Sequence, residues 1–494
     1  MSLKFAGSGV AAAIFFSHAK PAFPANQTSV KELMATSQVS DLKTSNRLVE
    51  RIVGLFNAND FTSIRSLATN QFSSGIPKKK FQAMVQQIHS LGTISNPELI
   101  LDLGEQRQYR LTVKNDAQPD RKIVMIIGVE SAKKYFSLGF ERYSEPIVRG
   151  KPFATDNRKK TLSDASVQLA IDRYIKQFKP VGISIGIYSQ GKESFYNYGE
   201  VKADTNHLPS FQTIFEIGSI TKTMTGILLA HAARENKLNL NDDIRLHLPG
   251  AFPNLEFEGR RILIRDLATH TSGLPANPPG IPDDGKAGAY SAYNHNKLLA
   301  DLASIKLTRK PGAVFSYSNM GAGTAGLVLE DAYKASYEGL LQKYIFGPAK
   351  MKSTGIMLTK PMDAQYATPY DAAGIQTDRW TVNGIESAGG VRSNAQDMLR
   401  YARFNLEKGR PDVALSHQKL SLAGLFETGI FWVRVKSRTG GAYFTHEGGT
   451  GGFSSDIVVM PEHNLAVVIM MNSGDQKPGQ ISYEIALRML KQRK

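Results

Sequence analysis

A chain of 494 residues, 41% apolar and 21% charged, has room for two or three domains and a full-sized core. It contains no cysteine, which excludes disulfides, thiol catalysis and cysteine-ligated metal. The formal net charge is +16 and the excess is spread along the chain, so it predicts a solvated basic surface. Attraction to an anionic cell-surface polymer is the functional alternative, and no nucleic-acid partner is expected.

The first nineteen residues have the pattern of a signal peptide. Lys4 is followed by a weakly apolar stretch from Phe5 to Phe16, then by small residues around Ser17 and Ala19. This predicts a secreted bacterial protein, periplasmic or extracellular. No later apolar run is long enough to span a bilayer. Residues 20–40 are polar, lack periodicity and predict a tether.

Residues 41–143 predict a small α+β domain. Leu48, Ile52, Leu55 and Phe56 recur at helical spacing, as do Phe81, Met84, Val85 and Ile88. Asn59-Asp60 opens a short helix between them. Lys78-Lys79-Lys80 stands at the start of the later helix rather than marking a basic patch. Four strand-like runs follow: Glu98–Leu103, Gln106–Val113, Lys122–Val129 and Tyr135–Tyr143. Helices followed by a meander predict a sheet on a helical layer. The order resembles the small NTF2-like (cystatin-like) domains found ahead of secreted bacterial hydrolases, and it implies a binding pocket or a spacer.

Residues 144–164 are polar and charged and predict a linker. Residues 165–494 predict a second α+β domain. It opens with a helix, Val167–Phe178, and two strands, Gly182–Tyr188 and Ser194–Tyr198. It closes with strands Phe453–Met460 and Leu465–Met471 and a helix, Tyr483–Lys491. One antiparallel sheet assembled from both ends of this segment is expected, with a helix-rich middle.

Three motifs in this segment carry chemistry. The first is Ser219-Ile220-Thr221-Lys222, ahead of an apolar helical run. Serine and lysine three apart on a helix share a face, so an ammonium one turn on can make a hydroxyl nucleophilic without a histidine. The helix N-terminus favours a developing anion there. The alternative is that Ser219 only caps the helix. The second motif is Tyr317-Ser318-Asn319. An ammonium beside it would lower the Tyr317 pKa, so the phenol could take the Ser219 proton and return it to a leaving group. Asn319 could hold Lys222 on one side and a substrate carbonyl on the other. The third is His446-Glu447-Gly448-Gly449 on a strand, where glycines let a substrate backbone approach. The Gly449 N–H could join that of Ser219 as an oxyanion hole. His446 could protonate or hydrogen-bond a substrate carboxylate.

In this order the three motifs resemble those of the class C β-lactamase / D-alanyl-D-alanine carboxypeptidase superfamily. Lys237–Asp243, Leu267–Pro275 and Ala388–Ser393 match the same family's wording. The resemblance implies a β-lactamase/transpeptidase-like fold, with a helical lobe and an antiparallel sheet flanked by helices. It implies Ser219 as nucleophile, Lys222 and Tyr317 as acid–base pair, Ser219 and Gly449 amides as oxyanion hole, and Asn319, His446 and Gly448 at the substrate.

One departure stands out. Class C β-lactamases carry Lys-Thr-Gly where this chain has His446-Glu447-Gly448. A permanent cation becomes a group largely neutral near pH 7, which predicts weak β-lactam hydrolysis. The expected substrate is a D-amino-acid peptide, small ester or amide, of cell-wall origin. No cofactor is expected, and no H-x-H or H-E-x-x-H spacing points to zinc. The segment Pro275–His295 predicts a long loop near the cleft, setting specificity through Tyr290 and Tyr293 or merely covering surface. A fold that binds without turnover is the alternative to an enzyme.

Overall fold

A computed structural model of the chain describes residues 46–70, 73, 78–102, 106–115, 118–131, 134–142, 153–178, 180–281, 287–423, 426–436 and 441–493. The expected signal peptide and tether, and the first part of the expected linker, lie outside the described residues.

The front unit has helices α1 (residues 46–57), α2 (Phe61–Ser66) and α3 (Lys78–His89), then strands β1 (Thr93–Asp102), β2 (Gln106–Asn115), β3 (Gln118–Ser131) and β4 (Lys134–Arg142). The strands form one antiparallel sheet in chain order. Asp60 starts α2 by accepting a hydrogen bond from the Ser63 N–H at 2.9 Å. Leu48, Ile52, Phe56, Phe81, Val85 and Ile88 share one core with Leu111, Met125 and Ile127 from the sheet. The helical periodicities therefore mark the buried faces. Strand β1 begins at Thr93, before the expected Glu98. Asn96 holds φ +52 and Pro97 cannot donate, so the pair looks like a turn in sequence. The sheet absorbs it as an irregularity between Ser95 and Glu98.

Residues 153–161, expected as linker, belong to the second unit. Asp156 accepts from the backbone N–H and the side chain of Asn197, and Asn157 donates to the Tyr198 hydroxyl at 2.8 Å. Polar composition hid this, because the contacts are to a strand forty residues on. Helix α4 (Leu162–Gln177) starts before the expected Val167, since Thr161 and Asp164 form a capping box.

The main sheet has eight strands among the described residues. Its order is β7 (Ser421–Ala423), β8 (Phe426–Thr428), β9 (Val433–Lys436), β10 (Ala442–Gly449), β11 (Ser454–Met460), β12 (Leu465–Met471), β5 (Gly182–Ser189), β6 (Lys192–Gly199). The last strand of the chain pairs with the first of this unit, Met471 opposite Ile183. Both ends of the segment therefore build one sheet, as expected. Strand β12 is apolar throughout, and β11 from Ile457 onward, because both faces are covered. Leu465, Val467 and Ile469 pack with α4 and the terminal helix (Gly479–Lys491). Ala466, Val468 and Met470 pack on the other side with the helical region. That region holds α5 (Thr221–Arg234), α6 (Asn319–Tyr333) and α7 (Ala395–Phe404). Among the described residues no helix is long and apolar enough to cross a membrane.

Candidate active site

Ser219 lies in a single 3-10 turn, Gly218–Ile220, that runs directly into α5. Gly218 holds φ +48, and a Cβ there would meet the Gly449 nitrogen at 2.6 Å, so conformation and space both require glycine. The Ser219 hydroxyl does not cap α5. It is engaged from two sides by Lys222 and Tyr317.

Helix α5 is buried over most of its length, so Lys222 in its first turn has no exposed surface. Its Nζ lies 2.9 Å from Ser219 Oγ, 2.8 Å from Asn319 Oδ1 and 2.5 Å from the Ala388 carbonyl. Carbonyl oxygens only accept, so two N–H bonds go to Asn319 and Ala388. Burial pushes the Lys222 pKa well below the ordinary lysine range. In the neutral amine a lone pair remains, and it faces Ser219. The Tyr317 hydroxyl donates to Ser219 Oγ at 2.7 Å. Ser219 Oγ thus stands between the Tyr317 hydroxyl and the Lys222 nitrogen, within hydrogen-bond distance of both.

The expected lowering of the Tyr317 pKa does not occur. Burial pushes the phenol up, and its hydrogen bond to Ser219 opposes this only in part. Lys222 Nζ does lie 4.8 Å from the Tyr317 ring centroid. Desolvation of the buried phenol decides the direction.

Asn319 opens α6, where the Ser318 hydroxyl caps the helix by accepting from the Gly321 N–H. Its Oδ1 takes Lys222 as expected. Its Nδ2 donates to Asn277 Oδ1 at 2.7 Å, on the side reserved for a substrate carbonyl. Asn277 Oδ1 also accepts from the Tyr290 hydroxyl at 3.0 Å. The Pro275–His295 segment is thus wired into the site through Asn277 and Tyr290. Tyr293 instead donates to Asp301 at 2.6 Å, beneath the helix His295–Ser304. Asn277 and the Ala388 carbonyl escape sequence reasoning. The first sits in an Asn-Pro-Pro-Gly run that looks like a plain turn, and the second is a backbone group.

Strand β10 supplies the third side. Thr450 N donates to Phe453 O at 3.0 Å, which makes that pair hydrogen-bonded. Bonded and non-bonded pairs alternate, so Gly449–Ser454 is non-bonded and the Gly449 N–H turns away from β11. On that side β9 pairs with β10 only as far as Thr445, and the Gly218 turn fills the vacated edge. A Cβ on Gly448 would lie 2.0 Å from the Ile217 carbonyl, so this glycine sets how closely the strand meets the nucleophile turn. Ser455 donates to the same carbonyl at 2.9 Å and pins it. Glu216, buried just upstream, accepts from the Tyr366 hydroxyl and the Trp380 N–H at 2.8 and 2.7 Å.

His446 is buried on this strand, its ring 6.5 Å from that of Tyr317. Burial lowers its pKa to about 4, with the nearby Lys222 adding to the shift. Its Nδ1 lies 2.7 Å from the Glu447 carbonyl, which can only accept. The proton is therefore on Nδ1, and Nε2 carries a lone pair. The expectation that His446 protonates or donates to a carboxylate is corrected, because its one N–H is spent on backbone.

His270 organises the Tyr317 segment. Its carbonyl accepts from Ser316 N at 2.7 Å, its Nδ1 from Ser318 N at 3.2 Å, and its ring lies 4.4 Å from that of Tyr317. It too is held neutral, with burial as the main cause. His417, stacked on Phe444 at 3.9 Å, is lowered by burial to about 3. A histidine that stays neutral when folded binds fewer protons than in the unfolded chain below pH about 6.5, so stability falls as pH falls. Each such group is expected to withdraw about 2 kcal/mol between pH 6.5 and 5. The slope of melting temperature against pH over that range measures it. His417→Phe, which touches no reacting group, is expected to flatten that slope, and an unchanged slope counts against the assignment.

The fold and this cluster define a β-lactamase-fold serine hydrolase. The chain belongs to the beta-lactamase family, whose model, described as "Beta-lactamase", matches residues 171–488. It is 25% identical over 362 residues to a beta-lactamase of Providencia stuartii, covering 65% of this chain and 90% of the relative. It is 27% identical over 329 residues to protein flp of Staphylococcus aureus strain N315, covering 63% of each. Its fold matches that of a beta-lactamase/D-alanine carboxypeptidase from Pseudomonas syringae with a TM-score of 0.59 and 21% identity, over 68% of this chain and all of that one. A class C beta-lactamase from Rhodobacter sphaeroides matches with a TM-score of 0.57 and 23% identity, over 66% and 99%.

Proposed function

We propose that this chain hydrolyses an amide, ester or lactam bond through an acyl-enzyme on Ser219. Lys222, as the neutral amine, takes the Ser219 proton while Oγ bonds to the acyl carbon. The N–H groups of Ser219 and Gly449 hold the oxyanion. Tyr317 gives its proton to the leaving nitrogen or oxygen as that bond breaks, and Lys222 returns its proton to the phenolate. Water then attacks the ester, gives up a proton to the same pair, and releases the acid with Ser219 restored. Asn319 orients Lys222, and Gly448 keeps the strand close. D-amino-acid peptides, small esters and amides are the proposed substrates, with β-lactam turnover weak because His446 is no permanent cation.

The observation that carries the reading is the unbroken chain from Tyr317 to Ser219 to Lys222, with Ser219 as the shared atom. An active-site serine probe such as a fluorophosphonate tests it. Intact-mass analysis is expected to find one adduct, absent in Ser219→Ala. A wild-type protein that forms none sinks the reading.

We further propose export by the N-terminal segment, with residues 41–143 forming an NTF2-like spacer or binding module ahead of the hydrolase unit.

A further inference from the structure

His446 leaves one polar feature of the site unused by the mechanism. Its Nδ1–H is committed to the Glu447 carbonyl at 2.7 Å, so only an acceptor, Nε2, remains for another molecule. The ring is fixed by burial and by this bond, and it stands 6.5 Å from the ring of Tyr317. On the proposed mechanism Tyr317 protonates the leaving group, so His446 flanks that half of the substrate. The residues behind it keep this arrangement. Gly448, on the same side of β10, meets the Ile217 carbonyl, while Glu447 points to the opposite face, where Gly479 makes room for its carboxylate.

A carboxylate placed against Nε2 would set a negative charge on a lone pair, with no donor in return. A carboxamide, hydroxyl or amine placed there would donate to it. We propose that the leaving-group side of this cleft is an acceptor site, selecting acyl donors whose leaving group carries a hydrogen-bond donor over those with a free carboxylate. The inference rests on the serine-hydrolase reading and narrows it. An amidated or internal D-residue, or an ester of a hydroxylated alcohol, is favoured over a chain ending in a D-amino acid.

A matched pair of depsipeptides tests it: N-acetyl-D-alanyl-D-lactate and its C-terminal carboxamide, with release followed by mass spectrometry. The wild-type protein is expected to prefer the carboxamide by about tenfold or more in kcat/KM, the scale of one mismatched polar contact. His446→Lys, which restores a cation, is expected to reverse the order. His446→Asn, whose amide both donates and accepts, is expected to bring the ratio toward one, and it provides the comparison if the lysine variant does not fold. A smaller wild-type preference, or one that these substitutions leave in place, overturns the proposal. Failure of the underlying reading is distinct: neither depsipeptide is cleaved, and the fluorophosphonate leaves no adduct on Ser219.

Discussion

Replacing Lys222 by methionine is expected to lower kcat/KM by about three orders of magnitude, within the range of a lost general base. The side chain is wholly buried, and burial pushes its pKa well below the ordinary lysine range, which favours the amine over the cation. Lys222→Arg separates these roles. A guanidinium stays protonated, so it supplies charge but no base. The arginine variant is expected to be as impaired as the methionine one, and recovery of even a tenth of the wild-type rate would refute the base assignment. The pH profile carries the same sign. The wild-type kcat/KM is expected to fall as pH drops through the lowered pKa, because protonating the amine removes the lone pair facing Ser219. The limb belongs to the Ser219–Lys222–Tyr317 unit as a whole and is expected to vanish in Lys222→Met. Tyr317 stays protonated to high pH because burial raises its pKa, so it remains a donor across the neutral range.

Gly448→Ala is expected to be the most damaging single-methyl change at the site. Its Cβ would stand 2.0 Å from the Ile217 carbonyl and 2.4 Å from Ser455 Oγ. Neither can retreat freely, since Ser455 donates to that same carbonyl. Strand and nucleophile turn must part, and the Gly449 N–H moves with the strand. A shift on the order of 1 Å at a positioned group costs about a hundredfold in rate. Overpacking of this kind costs about 1–3 kcal/mol in stability. The comparison is Gly449→Ala, whose Cβ meets nothing within 4 Å. It is expected to leave the melting temperature within about a degree, in line with ordinary exposed substitutions. Equal melting temperatures for the two variants would contradict the packing described.

The sequence legibly carried the elements whose information is local. The unbroken apolar run Leu465–Met471 marked β12, and residues of alternate parity there enter different cores. The spacing of Ser219 and Lys222 brought hydroxyl and amine together where the 3-10 turn enters α5, and the order of Ser219, Tyr317 and His446 pointed to the family. Misplaced boundaries came from residues whose local meaning is overruled. Asn96 and Pro97 look like a turn, yet the ladder resumes at Glu98. Residues 153–161 look like a linker, yet Asn197 and Tyr198 bind them.

The protonation states were a different matter. Residue types alone suggested a charged Lys222 lowering the Tyr317 pKa. Burial pushes the Lys222 pKa down and the Tyr317 pKa up, because desolvation penalises each charged form. Burial is set by everything packed around α5, which no local pattern encodes. The same holds for His446, where a single bond to the neighbouring carbonyl decides which ring nitrogen keeps its proton. The sequence by itself therefore determined the fold and which groups, Ser219, Lys222, Tyr317 and Asn319, would be brought together. Tertiary structure alone decided which of them hold protons, because that depends on distance and dielectric rather than on order along the chain.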